Sequence, residues 1–285
     1  MTGWFACALA ALLLMGTQRF LYKVAAERSC DTMVTTFSFM ATVTVISALA
    51  FFAGGTGVGD VRLLFLIGLA NSLAFLVATF THIEALKRLP AATAYPLIRL
   101  DAVLVVIISL LFFNERLAGL QWPGVIVAVA AAVLVARDRN RGQAGFSPCR
   151  GGFLFVAIAI LAGTAAAVSS RFAVLHTDKT AFMTVSYGLS TLFALLTGSI
   201  RRTGAGRNLR PSLFIGVSMG ILNVAGYYAY LEGLSRGPLS LVTVITGMHF
   251  VVAVIFSLMI YRERLTPASF AGIVLAALSL ILIRI

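Results

Sequence analysis

Asp101 and His249 are ionisable residues set in the middle of strongly apolar runs, 148 residues apart. An aspartate in such a place can hold a cation or a proton, and a histidine titrates near neutrality. A charge at the centre of a spanning helix costs roughly 2.5–3.5 kcal/mol on insertion, so its presence needs a reason. One reason is a substrate or proton site. The other is interhelical glue, with Asp101 neutralised by Arg99 or paired with His249. Arg99 lies two residues before Asp101, so on a helix the two side chains diverge, and Arg99 shares its face with Tyr95. Gly247 stands at the counterpart of Arg99, which therefore has no charged equivalent. Its guanidinium suits a substrate carboxylate or phosphate, or serves as counter-ion to Asp101 or Glu84.

Two stripes at helical spacing accompany this set: Asn71, Phe75, Ala78 and His82, and Asn223, Gly226, Tyr227 and Tyr230. At the same offset Phe75 faces Asn223 and His82 faces Tyr230. Amides and aromatic rings on one stripe suit a cavity wall that takes an amphipathic solute. The plainer reading is packing, with His82 and Tyr230 in an interfacial belt. Thr17-Gln18-Arg19 with Lys23, and Ser169-Ser170-Arg171, are weaker candidates, since Lys23 and Arg171 can snorkel to the interface. The sequence holds no His-Glu-x-x-His, Gly-x-Ser-x-Gly or phosphate-binding glycine loop. Cys7, Cys30 and Cys149 are too scattered for a disulfide framework or a metal cluster. No catalytic residue, metal or cofactor is expected.

The offset of 148 belongs to an internal repeat. Residues 84–124 align with 232–272 without a gap. Glu84-Ala85-Leu86-Lys87-Arg88-Leu89-Pro90 faces Glu232-Gly233-Leu234-Ser235-Arg236-Gly237-Pro238, and Glu115-Arg116-Leu117 faces Glu263-Arg264-Leu265. Ser109 matches Ser257 and Gly124 matches Gly272. The Glu-Arg-Leu motifs read as tight turns, with Thr266 and Pro267 as a helix start; Pro90 and Pro238 begin helices for the same reason. Such a repeat in an apolar chain marks a transporter built from two related halves.

Composition agrees. The chain has 285 residues, 60% apolar and only 11% charged, more apolar surface than a soluble domain of this length can hide. Ten segments are long enough to span a bilayer, near 3–22, 32–53, 61–85, 90–113, 119–136, 151–174, 180–200, 211–234, 238–260 and 266–284. The first reads as a span that is kept, because a signal peptide's basic start is missing. The expected fold is an all-α integral membrane protein of ten transmembrane helices. A basic connecting loop, 137–150, divides it into a first repeat, 1–136, and a second, 151–285. Five helices per half is odd, so the second half enters from the opposite side and the repeat is inverted. Of the 22 basic residues, fourteen fall on one side and six on the other. The positive-inside rule then places both termini outside. The net charge of +12 reflects these loops rather than nucleic-acid binding.

Ten spans, a five-plus-five repeat and Glu-Arg-Leu turns after the fourth and ninth helices resemble the drug/metabolite transporter superfamily, in particular EamA-type permeases. Ala91–Leu117 is similar to that family's fourth helix, which ends in Gly-Glu-Arg-Leu; here Asn114 and Arg262 replace the usual glycine. The resemblance implies export or exchange of small metabolites, often amino acids, through a central cavity lined by spans three, four, eight and nine. It also implies a multi-pass protein of the bacterial inner membrane, commonly drawn with cytoplasmic termini, against the charge count.

The expected function is therefore secondary or facilitative transport of a small polar or amphipathic metabolite. Expected partners are that solute and membrane lipids, with a homodimer left open and nucleic acid excluded. A membrane scaffold or sensor, and a lipid-modifying enzyme embedded in the membrane, are the rival readings.

Overall fold

Apolar runs of this length can satisfy their backbone in lipid only as helices or closed barrels, and helices form. A computed structural model describes residues 2–28, 30–55, 57, 59–88, 97–98, 100–138, 150–200, 209–261 and 267–284. Among the described residues there are eleven helices and no strand. They are α1 (Thr2–Glu27), α2 (Thr32–Gly54), α3 (Val61–Arg88), α4 (Leu100–Phe112), α5 (Gln121–Asp138), α6 (Arg150–His176), α7 (Lys179–Ile200), α8 (Leu209–Arg236), α9 (Leu239–Gly247), α10 (His249–Tyr261) and α11 (Pro267–Arg284). Five of them, α1, α2, α3, α6 and α8, are long and apolar enough to cross a bilayer by themselves. Phe52 and Phe214 are 78% and 73% exposed, a surface that only hydrocarbon solvates well. The protein is a multi-pass integral membrane protein.

Helix ends follow local chemistry. Asp31 caps α2 by accepting the Val34 N–H at 3.0 Å, and Asp178 accepts the Ala181 N–H at 2.9 Å at the start of α7. Asn114 adopts φ 50°, the left-handed region that asparagine tolerates best after glycine. This explains how asparagine stands before Glu115-Arg116-Leu117 where the related pattern has glycine.

The inverted repeat is visible in the packing. Helix α3 runs along α6 as α1 runs along α8, and α3 meets α7 as α2 meets α8. The self-matching pairs α2–α7 and α5–α11 also pack together. Thr44 and Thr191, 147 residues apart, share a hydrogen bond of 3.3 Å between α2 and α7, as counterparts on a pseudo-two-fold axis should.

One expectation needs correction. The run 238–260 reads as a single helix, but the structure interrupts it for one residue at Met248, which has φ −77° and ψ 8° and is bridged by the tighter bonds Met248 N–H to Ile245 O and Val251 N–H to Met248 O. Thr246 and Gly247 stand immediately before it. The Thr246 hydroxyl donates to its own helix at Val242 O, 2.8 Å away, and glycine holds a helix poorly.

Candidate functional site

Asp101 lies in the first turn of α4 and faces α6. Its Oδ1 accepts the Ala102 N–H at 2.7 Å, and a Cβ on Gly163 would stand 3.2 Å from its Oδ2. His249 opens α10, buried at 8% exposure. Its carbonyl oxygen would stand 2.8 Å from a Cβ on Gly16 of α1. Gly163 follows Gly16 by 147 residues and His249 follows Asp101 by 148, so the helices approach at corresponding points, through the Asp101 side chain in one half and the His249 main chain with Val252 in the other.

At the break, His249 Nδ1 is 2.7 Å from the Thr246 carbonyl. A carbonyl only accepts, so Nδ1 carries the proton in this contact. The histidine thereby satisfies an acceptor that the interrupted helix leaves without its usual partner.

A polar and aromatic column runs between the two halves. Tyr187, Tyr227 and Tyr230 follow one another with ring centres 5.6 and 5.8 Å apart, and Phe75 lies 6.3 Å from Tyr187. The Tyr230 hydroxyl is 3.4 Å from Thr243 Oγ1 on α9, and Asp101 lies within electrostatic reach of the same tyrosine. The Tyr227 hydroxyl is 2.9 Å from Ser170 Oγ, which is 3.2 Å from Asn71 Nδ2. That amide also donates to Ala166 O at 3.0 Å and Ser169 Oγ at 2.9 Å, while its Oδ1 accepts from Ser186 at 2.7 Å. Asn223 Nδ2 donates to Gln18 Oε1 of α1 at 2.9 Å. Among the described residues Asn223 Oδ1 has no partner of normal geometry, although the Tyr187 hydroxyl lies beside that amide.

Asn71 thus holds α3 to α6 and α7, and Asn223 holds α8 to α1. Replacing Asn71 with alanine should lower stability by about 1–2 kcal/mol, because buried hydroxyls on two helices lose their partner. Thermal unfolding in detergent measures this.

The structure brings Asp101, Phe75, Asn71, Asn223, Tyr227 and Tyr230 into this region, with His249 at the helix break. Tyr95 and Arg99 lie outside the described residues, as does the side chain of His82. Tyr187 is a member that sequence reasoning did not select. Its signal is the α7 pattern of Ser186 with Ser190 and Tyr187 with Thr191, hydroxyls one helical turn apart.

Beyond Asp101 an apolar groove of about 270 Å³ lies between α4 and α5, lined by Val103, Val106, Ile107, Trp122, Ile126 and neighbours. A separate, smaller space of about 20 Å³ at the helix break is lined in part by Ala102, Val129, Gly247 and Met248.

At the end where α4 stops, Glu115 reaches out of its own turn. It accepts the Leu239 N–H at 2.5 Å, the Ser240 N–H at 3.1 Å and the Ser240 hydroxyl at 2.6 Å. The Glu-Arg-Leu glutamate therefore caps α9 of the other half rather than starting a helix of its own. Pro238, the N-cap of α9, has no side-chain hydrogen bond of that kind. Arg171 Nη1 donates to Gly237 O at 3.0 Å beside it, and Glu232 pairs with both Lys179 and Arg236. Glu263, the repeat counterpart of Glu115, lies outside the described residues.

The model of the EamA-like transporter family matches the sequence twice, over residues 2–137 and 150–285. The chain belongs to the EamA-like transporter family. It is a membrane protein of that family, and the two matches fit two inverted five-helix repeats, with α9 and α10 sharing the ninth span. A solved crystal structure superposes with a TM-score of 0.78 over 99% of this chain and 98% of its own, at 19% identity, a likeness of fold alone. A shorter stretch of 53 residues is 40% identical to an Aeromonas hydrophila subsp. hydrophila protein named a probable 4-amino-4-deoxy-L-arabinose-phosphoundecaprenol flippase subunit ArnE. That match covers 19% of this chain and 46% of the relative, so the chain spans about half the length of that protein.

Proposed function

We propose that this EamA-family protein is a secondary or facilitative transporter of a small amphipathic metabolite, an amino acid or related amine, exported or exchanged through the column between its halves. The observation that carries this is the break in the ninth span. Discontinuous helices at the bilayer midplane form the binding sites of many inverted-repeat transporters, because their free ends point partial charges at a solute. Here Thr243, a little over one turn before the break, meets the Tyr230 hydroxyl, with Asp101 in electrostatic reach of that tyrosine. Tyrosine faces take the apolar part of an amphiphile, and Asp101 takes its ammonium group. Rocking of the halves about this point exposes it to each side in turn.

Uptake into proteoliposomes of a panel of radiolabelled amino acids and alkylamines tests the reading. At least one should enter faster than into protein-free vesicles and exchange against itself. No flux for any of them would count against it.

The groove between α4 and α5 favours a second reading, in which the substrate is lipid-linked. Its polar head would use the column while its chain stays in the groove, in keeping with the name of the Aeromonas relative. Transbilayer movement of a fluorescent polyprenyl phosphate, with no amino-acid flux, would select it.

A further inference from the structure

We propose that α9 is a plug closing one end of the column and that Glu115, from the opposite repeat, is its latch. The inference rests on the alternating-access reading above. It begins with where α9 sits. Leu239, Ser240, Val242 and Ile245 are all fully buried, so α9 fills the centre of the end where α4 stops and α8 turns. Only nine residues long, and buried except at Thr243 and Gly247, which are partly exposed, α9 has no broad lipid-facing stripe to anchor it. A route on this side exists only if α9 moves.

Both ends of α9 suit such motion. Its C-terminal end is the break at Gly247–Met248, where a Cβ on Gly247 would meet nothing within 4 Å. That open space and the glycine make a hinge. Its N-terminal end is held by non-covalent contacts from outside its own helix. Glu115 supplies three hydrogen bonds to Leu239 and Ser240, and Arg171 holds the carbonyl of Gly237. Trp4 of α1 covers the same turn, 2.7 Å from where a Gly237 Cβ would stand. Carboxylate bonds to a helix N-terminus are charge-assisted and act with the helix dipole. Latch and hinge belong to one lever, and Thr243 between them touches the Tyr230 hydroxyl at 3.4 Å. Swinging α9 about Gly247 parts Thr243 from Tyr230 and uncovers the column.

The latch is formed between halves. The carboxylate comes from the first repeat and the helix from the second, so relative motion of the halves must break it. At the repeat offset Ser240 corresponds to Ala92, so the sequence offers a hydroxyl for this contact in one copy only.

The test uses the full chain in oriented proteoliposomes, with Cys7, Cys30 and Cys149 replaced by alanine and one cysteine introduced as Thr243→Cys. A membrane-impermeant maleimide is added on the side where α9 begins. Glu115→Ala should speed labelling about tenfold, and Ser240→Ala, which removes one of the three bonds, about threefold. Labelling from the opposite side should fall or stay unchanged in both. Thermal midpoints check folding, and Ser240→Ala carries the test if Glu115→Ala does not fold. Unchanged labelling in the folded variants would overturn the latch. An equal rise from both sides would do so too, because it reports general loosening. Labelling needs no substrate, so this failure is distinct from failure of the transport reading, which shows as absent flux.

Discussion

Asparagine in place of Asp101 should lower transport about ten- to a hundredfold and leave membrane insertion and folding intact. The size is that of losing one charge-assisted contact to the ammonium group of the proposed substrate. Folding survives because asparagine keeps the shape that fits against Gly163 and keeps the oxygen that accepts the Ala102 N–H. His249→Ala separates differently. It should lower transport and also the thermal midpoint, because the Thr246 carbonyl at the break loses its partner at Nδ1. Uptake rates and thermal unfolding, measured on the same preparations, resolve the two patterns. Wild-type uptake in both variants would remove this pair from the site.

Gly216→Ala gives the largest expected loss of stability. A Cβ there would stand 1.9 Å from Ser38 Oγ and 2.6 Å from the Thr35 carbonyl of α2. The Ser38 hydroxyl can turn away, but the carbonyl is backbone, so α2 and α8 must separate. A separation of this kind costs about 1–3 kcal/mol, as overpacking does. Gly188→Ala is the control, since its Cβ would rest 3.6 Å from a Thr44 methyl group. That change should stay within about 0.5 kcal/mol. Thermal unfolding in detergent compares the two. Equal midpoints would mean that α2 and α8 do not need to approach so closely. Gly68 makes the corresponding contact in the other half, where a Cβ would stand 2.7 Å from a Val185 methyl, so Gly68→Ala should be milder because a side chain can yield.

The architecture was legible because lipid leaves the backbone so few options. Apolar runs of spanning length, repeated at a constant offset with an odd number per half, imply helices and an inverted repeat. In the sequence the glycines at 3, 16, 68, 163, 216 and 220 suggest close-approach points; a Cβ on five of them would meet a neighbouring helix within 3.2 Å, whereas on Gly3 it would rest 3.7 Å from Arg236 Nη1, an ordinary contact. The broken ninth span was not legible. Thr246-Gly247 is a weak signal inside a run otherwise as apolar as its neighbours, and Gly247 drew attention only as the missing counterpart of Arg99.

Of the candidate site, burial was readable but partnership was not. Asn71 and Asn223 are buried at 5% and 3% exposure, as stripes of amides and aromatics suggest. Their partners, Ser169, Ser170 and Gln18, sat among the weaker candidates because a lone hydroxyl or amide near a span end has no local pattern. Glu115 shows the limit most plainly. Its motif marks a turn, while its hydrogen-bond partners lie 124 and 125 residues further along the chain. Only the packing of one half against the other brings them together.

The central claim is that the helix break within the ninth span is a point reached from both sides of the membrane in turn. Gly247→Cys tests it, since the position has room for a side chain and adjoins the small space at the break. In vesicles of the cysteine-free chain carrying this residue, an impermeant maleimide is supplied outside or enclosed inside. The account predicts labelling from each side in separate experiments. Labelling from neither side, or from one side alone, would contradict it.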